Sequence, residues 1–68
     1  MAQIGFYNGI NLVDTSSVAS ANLEFNREKI EREAQDLAAE CGCDIEAWTR
    51  DAEGERTSHT GIIAKPAK

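Results

Sequence analysis

Apolar residues alternate with other residues at the start of this chain, recur at helical intervals through its middle, and alternate again near its end. Residues 3–7 read as a short strand, with Ile4 and Phe6 on one face. Asn8-Gly9 is a turn signal, because both residue types tolerate positive φ. Ile10 to Val13 is a brief apolar run. It reads either as a second strand, which makes residues 3–13 a hairpin, or as a loop that packs Ile10 and Leu12 beneath a helix.

Asp14, Thr15, Ser16 and Ser17 carry oxygens suited to capping a helix N-terminus, which predicts a helix from about 16–18 to Cys41. The weak stretch Ser20-Ala21-Asn22 allows a later start, with 14–20 as loop. Neither Pro nor Gly interrupts the run, and Gly42 is placed to end it in the left-handed conformation. Leu23, Ile30, Ala34, Leu37 and Cys41, with Ala38 beside them, define one apolar stripe. Arg27 interrupts the stripe, and Val18 and Ala19 extend it backward. Acidic and basic residues fill the opposite face, with Glu28 and Arg32 in the favourable i,i+4 order.

Residues 43–50 alternate strictly: Cys43, Ile45 and Ala47 on one face, Asp44, Glu46, Trp48 and Arg50 on the other. Asp51 to Glu55 is a polar turn with Gly54 at the positive-φ position, and residues 56–64 supply a partner strand. Pairing Arg50 with Glu55 sets Trp48 opposite Thr57, Glu46 opposite His59 and Cys43 opposite Ile62. Lys65 to Lys68 read as a frayed tail. The whole is an α+β chain of β(β)αββ order: one long amphipathic helix on a small, mostly antiparallel sheet, forming a single domain over residues 1–68.

Composition sharpens this picture. The 68 residues carry 12 Asp+Glu against 7 Lys+Arg, a formal net charge of -5. Phosphate neutralisation needs clustered Lys and Arg, so no nucleic-acid partner is expected. No apolar run approaches the roughly 18 residues of a membrane span, and no secretory signal is visible at Met1–Gly5. A domain of this size builds only a modest core, and such chains often add disulfides, a metal or a partner subunit. The thiols are Cys41 and Cys43, around Gly42. A bond between residues two apart would staple nothing, so free thiols in a reducing cytoplasm are expected. One C-x-C with the single His59 falls short of a structural zinc set.

No catalytic constellation emerges. The carboxylates lie on the solvated helix face, and His59 is placed as a surface neighbour of Glu46. Gly5 and Gly9 do not open a phosphate-cradling helix. Neither a cofactor site nor a metal site is expected, and the chain reads as a non-enzyme. Trp48 is the residue that stands out. With Cys43, Ile45 and Ala47 facing the helix, Trp48 faces outward with Glu46, Arg50 and His59 as a candidate partner-binding group. A register slipped by one residue would instead put Trp48 in the core.

Ile4-Gly5-Phe6, Asn8-Gly9-Ile10, the run Glu31 to Ala39 followed by Gly42, and Asp44-Ile45-Glu46 together give a pattern. It resembles the small head–tail connector, or minor tail, proteins of tailed bacteriophages. In that family a strand, a small loop, a helix with an alanine-rich second half, Gly and a β-hairpin follow one another. The acidic hairpin turn departs from the basic one usual there, and the family commonly carries further residues after the hairpin. The resemblance implies a structural protein of a virion or prophage, packing against copies of itself and its neighbours, in the virion or the cytoplasm. The alternative is a small acidic intracellular module that docks on one larger protein.

Overall fold

The computed structural model describes residues 2–18 and 23–66, in the order β1 (Ala2–Asn8), β2 (Asn11–Val18), α1 (Leu23–Cys41), β3 (Ile45–Arg50) and β4 (Arg56–Ala64). The strands form one antiparallel sheet with spatial order β2-β1-β3-β4. α1, 19 residues long, packs on one face of it, over β3 and β4. The α+β class is therefore that expected. Among the described residues no helix is long and apolar enough to cross a membrane.

β1 and β2 form the expected hairpin. Asn8 pairs with Asn11 and leaves Gly9-Ile10 as the loop, with Gly9 at φ 63. Ile10 is not at positive φ, so the turn follows the type II′ pattern, whose twist suits a hairpin. The loop reading is overturned, because Ile10 is 84% and Leu12 47% exposed. β2 then continues to Val18, so Asp14, Thr15, Ser16 and Ser17 do not cap a helix. They pair with Phe6, Gly5, Ile4 and Gln3. Asp14, Ser16 and Ser17 are not strand formers by type, as Thr15 is, but this strand lies at a sheet edge, and Val18 at its end is buried. The helix start near 16–18 is thereby corrected to Leu23, and the alternative start at 20–22 lies outside the described residues.

The core joins Ile4, Phe6 and Val18 to Ile30, Ala34 and Ala38 of α1 and to Ile45, Ala47, Ile62 and Ala64 of the second hairpin. Ala34 and Ala38 give α1 a flat contact with the sheet, while Leu37 is only partly buried at the margin. The stripe ends at Ala38, since Cys41 is exposed; the Leu23 side chain lies outside the description. Arg27 sits at the core edge, pairs with Glu31 at 3.1 Å and donates a long 3.5 Å bond to the Thr60 carbonyl. Gly42, at φ 67, ends α1 as expected, its N–H donating to the Ala38 carbonyl at 2.9 Å.

The β3–β4 register differs from that expected. Arg50 pairs with Arg56, Trp48 with His59 and Glu46 with Ile63. Two bulges in β4 cause the shift. Thr57 is an extra residue near the turn, and Thr60, Gly61 and Ile62 together face Ala47. Side chains satisfy the backbone there: Thr60 Oγ1 donates to the Ala47 carbonyl at 2.8 Å and accepts from Ile62 N–H at 3.2 Å. Gly61, at φ 85, donates its N–H to His59 Nδ1 at 2.8 Å. The turn at 51–55 closes on the Asp51 carboxylate, which accepts the N–H groups of Glu53 and Glu55 at 3.0 and 2.9 Å.

One further expectation is corrected. Cys41 and Cys43 are not free thiols: a disulfide joins them. The left-handed turn at Gly42 brings their Cα atoms to 5.4 Å, within disulfide range, where an extended chain would hold them farther apart. Of the tail expected at 65–68, the Lys65 carbonyl accepts a 2.8 Å bond from Gln35 Nε2 of α1, and residues 67–68 lie outside the described residues.

Candidate protein-interaction face

Directly paired residues of an antiparallel sheet point to the same side. The ladders therefore set three rows across the face opposite α1: Leu12–Tyr7–Glu46–Ile63, Thr15–Gly5–Trp48–His59 and Ser17–Gln3–Arg50–Arg56. β3 alternates as expected, with Ile45 and Ala47 fully buried under α1 and Trp48 half-buried on the other side. The slipped register that would place Trp48 in the core does not occur.

A small second cluster forms on this open face. Gly5 lacks a side chain, and the Tyr7 ring and the Arg50 stem close over the space. Tyr7 is only 6% exposed, although it points away from the helix. The Arg56 guanidinium lies 4.8 Å from the centroids of both the Tyr7 and Trp48 rings. Its Nη1 also donates to the Gly9 carbonyl at 3.2 Å. By pairing alone, Arg56 and Gly9 stand at opposite ends of β1. Their contact follows from the curl of a sheet whose register shifts add local twist.

His59 meets Trp48 edge to face at 4.8 Å. Because His59 Nδ1 accepts the Gly61 N–H, the neutral ring carries its proton on Nε2. That nitrogen stands 3.6 Å from Glu46 Oε1, which also accepts from Trp48 Nε1 at 3.1 Å. Glu46, Trp48 and His59 thus form the expected group. The Glu46–His59 contact is diagonal across the ladder and not a direct pair. Arg50 is drawn aside: its Nε and Nη2 donate to the Gly54 carbonyl at 3.2 and 3.0 Å.

Tyr7 and Arg56 are members that sequence reasoning did not single out. Tyr7 was signalled by alternation, since it follows Phe6 and must face the other way. Arg56 had no signal, because the bulge at Thr57 sets its position. Apolar surface flanks the cluster: Leu12 and Ile63 close the first row at 47% and 56% exposure, beside the exposed turn residue Ile10.

The face has cationic character on an acidic protein. Arg50 and Arg56 share one row of it, whereas on the described part of α1 the acids Glu28, Glu31, Glu33, Asp36 and Glu40 outnumber Arg27, Lys29 and Arg32. A shallow hollow on the outer side of α1 is lined by Glu28, Lys29, Arg32, Glu33 and Asp36. Among the described residues no group of three or more His, Cys, Asp or Glu is placed to hold a metal ion. Compared with protein families, curated proteins and solved structures, the chain matches none.

Proposed function

We propose that this chain is a non-enzymatic assembly protein that docks its open sheet face on the outer face of α1 in a second copy. The observation that carries this reading is the row Leu12–Tyr7–Glu46–Ile63. Its ends are exposed apolar side chains, and its middle supports a stacked Tyr7–Arg56–Trp48 layer. Aromatic and Arg side chains with adjoining apolar surface are the usual anchors of protein interfaces. Charge selects the occupant. Two open faces would set Arg50 and Arg56 against their own copies, whereas the outer side of α1 offers Glu28, Glu33 and Asp36 against Lys29 and Arg32. Contacts of this head-to-tail kind build rings or filaments. The sequence resemblance to head–tail connector and minor tail proteins supports the same role in a phage or prophage particle.

Sedimentation of the wild type and two charge variants tests this. The wild type is expected to grow in mass with concentration. Arg56→Glu removes the sheet-face anchor, and Glu33→Lys with Asp36→Lys reverses two of the three acids that line the helix-face hollow. Each variant alone should be monomeric, and their mixture should stop at a one-to-one dimer through the intact faces. A helix-face variant that still dimerises alone would show sheet-to-sheet pairing and sink the head-to-tail reading. A wild type that stays monomeric at all concentrations would transfer the face to a larger partner.

A further inference from the structure

We propose that Cys41-Gly42-Cys43 is a thiol–disulfide exchange site. The bond spans a sequence separation of 2, too short a loop to restrict the unfolded chain or tie distant elements. The turn is already held by backbone alone, through Gly42 at φ 67 and its N–H bond to the Ala38 carbonyl. The disulfide therefore has little structural work, and its position is accessible. Cys41 is exposed, whereas Cys43 is half-buried against the core. That difference orders the chemistry. An incoming thiolate bonds to the Cys41 sulfur, the Cys41–Cys43 bond breaks, and Cys43 leaves as a thiolate. A second thiol of the partner then attacks the partner's own sulfur in the mixed disulfide and releases Cys41. Two electrons pass from partner to protein; the partner ends as a disulfide and this chain as a dithiol. The reverse sequence reduces a partner disulfide.

Local charge selects the partner. Glu40 and Asp44 flank the unit, the last turn of α1 has no basic residue, and the C-terminal end of a helix is its negative pole. Anionic thiols are repelled and thiols on a cationic carrier are favoured. The partner class is a thiol or dithiol in a basic surface. Cys41, Gly42 and Cys43 belong neither to the rows of the open sheet face nor to the hollow on α1, so the inference stands apart from the assembly reading.

The oxidised protein, kept native, is exposed to cysteamine or to glutathione at equal thiolate concentration, and the products are followed by mass spectrometry. Opening is expected under native conditions, several-fold faster with cysteamine, with the ratio falling toward one in high salt. Cys43→Ser, reduced and offered cystamine, should accumulate a mixed disulfide at Cys41; Cys41→Ser should react several-fold more slowly. The Cys41→Ser/Cys43→Ser double variant should melt within a degree or two of the oxidised wild type. A bond that opens only in denaturant, a reduced pair that does not close in glutathione disulfide, or a large loss of melting temperature in the double variant would each overturn the proposal.

Discussion

The Tyr7 ring occupies the space that a side chain at Gly5 would need: a methyl group there would stand 2.6 Å from Tyr7 Cε1 and 2.6 Å from Arg50 Cδ. Glycine at this position is what lets a tyrosine lie nearly buried on a sheet face with no helix over it. Gly5→Ala forces the ring or the Arg50 stem outward. The expected cost is about 1–3 kcal/mol in urea unfolding, with a change in Trp48 fluorescence as the Tyr7–Arg56–Trp48 stack loosens. An unchanged midpoint and spectrum would mean that the ring does not rest on Gly5.

Gly61 makes the opposite case. A methyl group there would come no closer than 4.0 Å to another residue, the Arg27 guanidinium, but the backbone stands at φ 85. Gly61→Ala is therefore strained without being crowded, and about 1–2 kcal/mol of stability should be lost. The loss should appear as faster hydrogen exchange around Thr60–Ile62, because the bulge there depends on the Gly61 and Ile62 N–H bonds. Spread evenly over the whole chain, the effect would point away from the bulge.

The core substitutions separate two positions that look alike on a helical wheel. Ile30 is 1% exposed at the centre of the α1 contact, whereas Leu37 is only partly buried at its edge. Ile30→Ala should cost about 2–4 kcal/mol, enough to unfold much of so small a domain. Leu37→Ala should cost roughly half as much or less, since a margin site loses less buried area and collapses more readily. Equal losses would place the two side chains in equivalent surroundings.

The sequence carried the helix stripe and the β3 alternation because both are periodic signals, with Ile30, Ala34 and Ala38 on one and Ile45 and Ala47 on the other. It hid β2, because Asp14 to Ser17 are the residue types that cap helices, and what makes them a strand is the free edge of β1 beside them. It also hid the β4 register. Thr57 and the Thr60–Ile62 bulge break the two-residue period, and the side-chain bonds that support them exist only once the strands have met. Trp48 and Glu46 were legible on one face because β3 alternates, whereas His59 was set opposite Glu46 by a register that the bulges shift, and it pairs with Trp48. Arg56 was not, since its approach to Tyr7 and Gly9 depends on how the whole sheet curls.

Trp48 separates folding from association. It lies half-buried on the open face, with Arg56 over its ring, His59 in a T-shaped contact with it and its Nε1 donating to Glu46. Trp48→Ala removes that anchor yet leaves the ten-residue core untouched. Thermal unfolding should shift less than for Ile30→Ala, while concentration-dependent mass growth in sedimentation should be lost or weakened at least tenfold. Arg56→Lys keeps the charge but not the flat guanidinium that two rings share, and should weaken association by an intermediate amount. A Trp48→Ala protein that unfolds as readily as Ile30→Ala would make Trp48 part of the fold's own support. One that folds and assembles normally would take the interface away from this face.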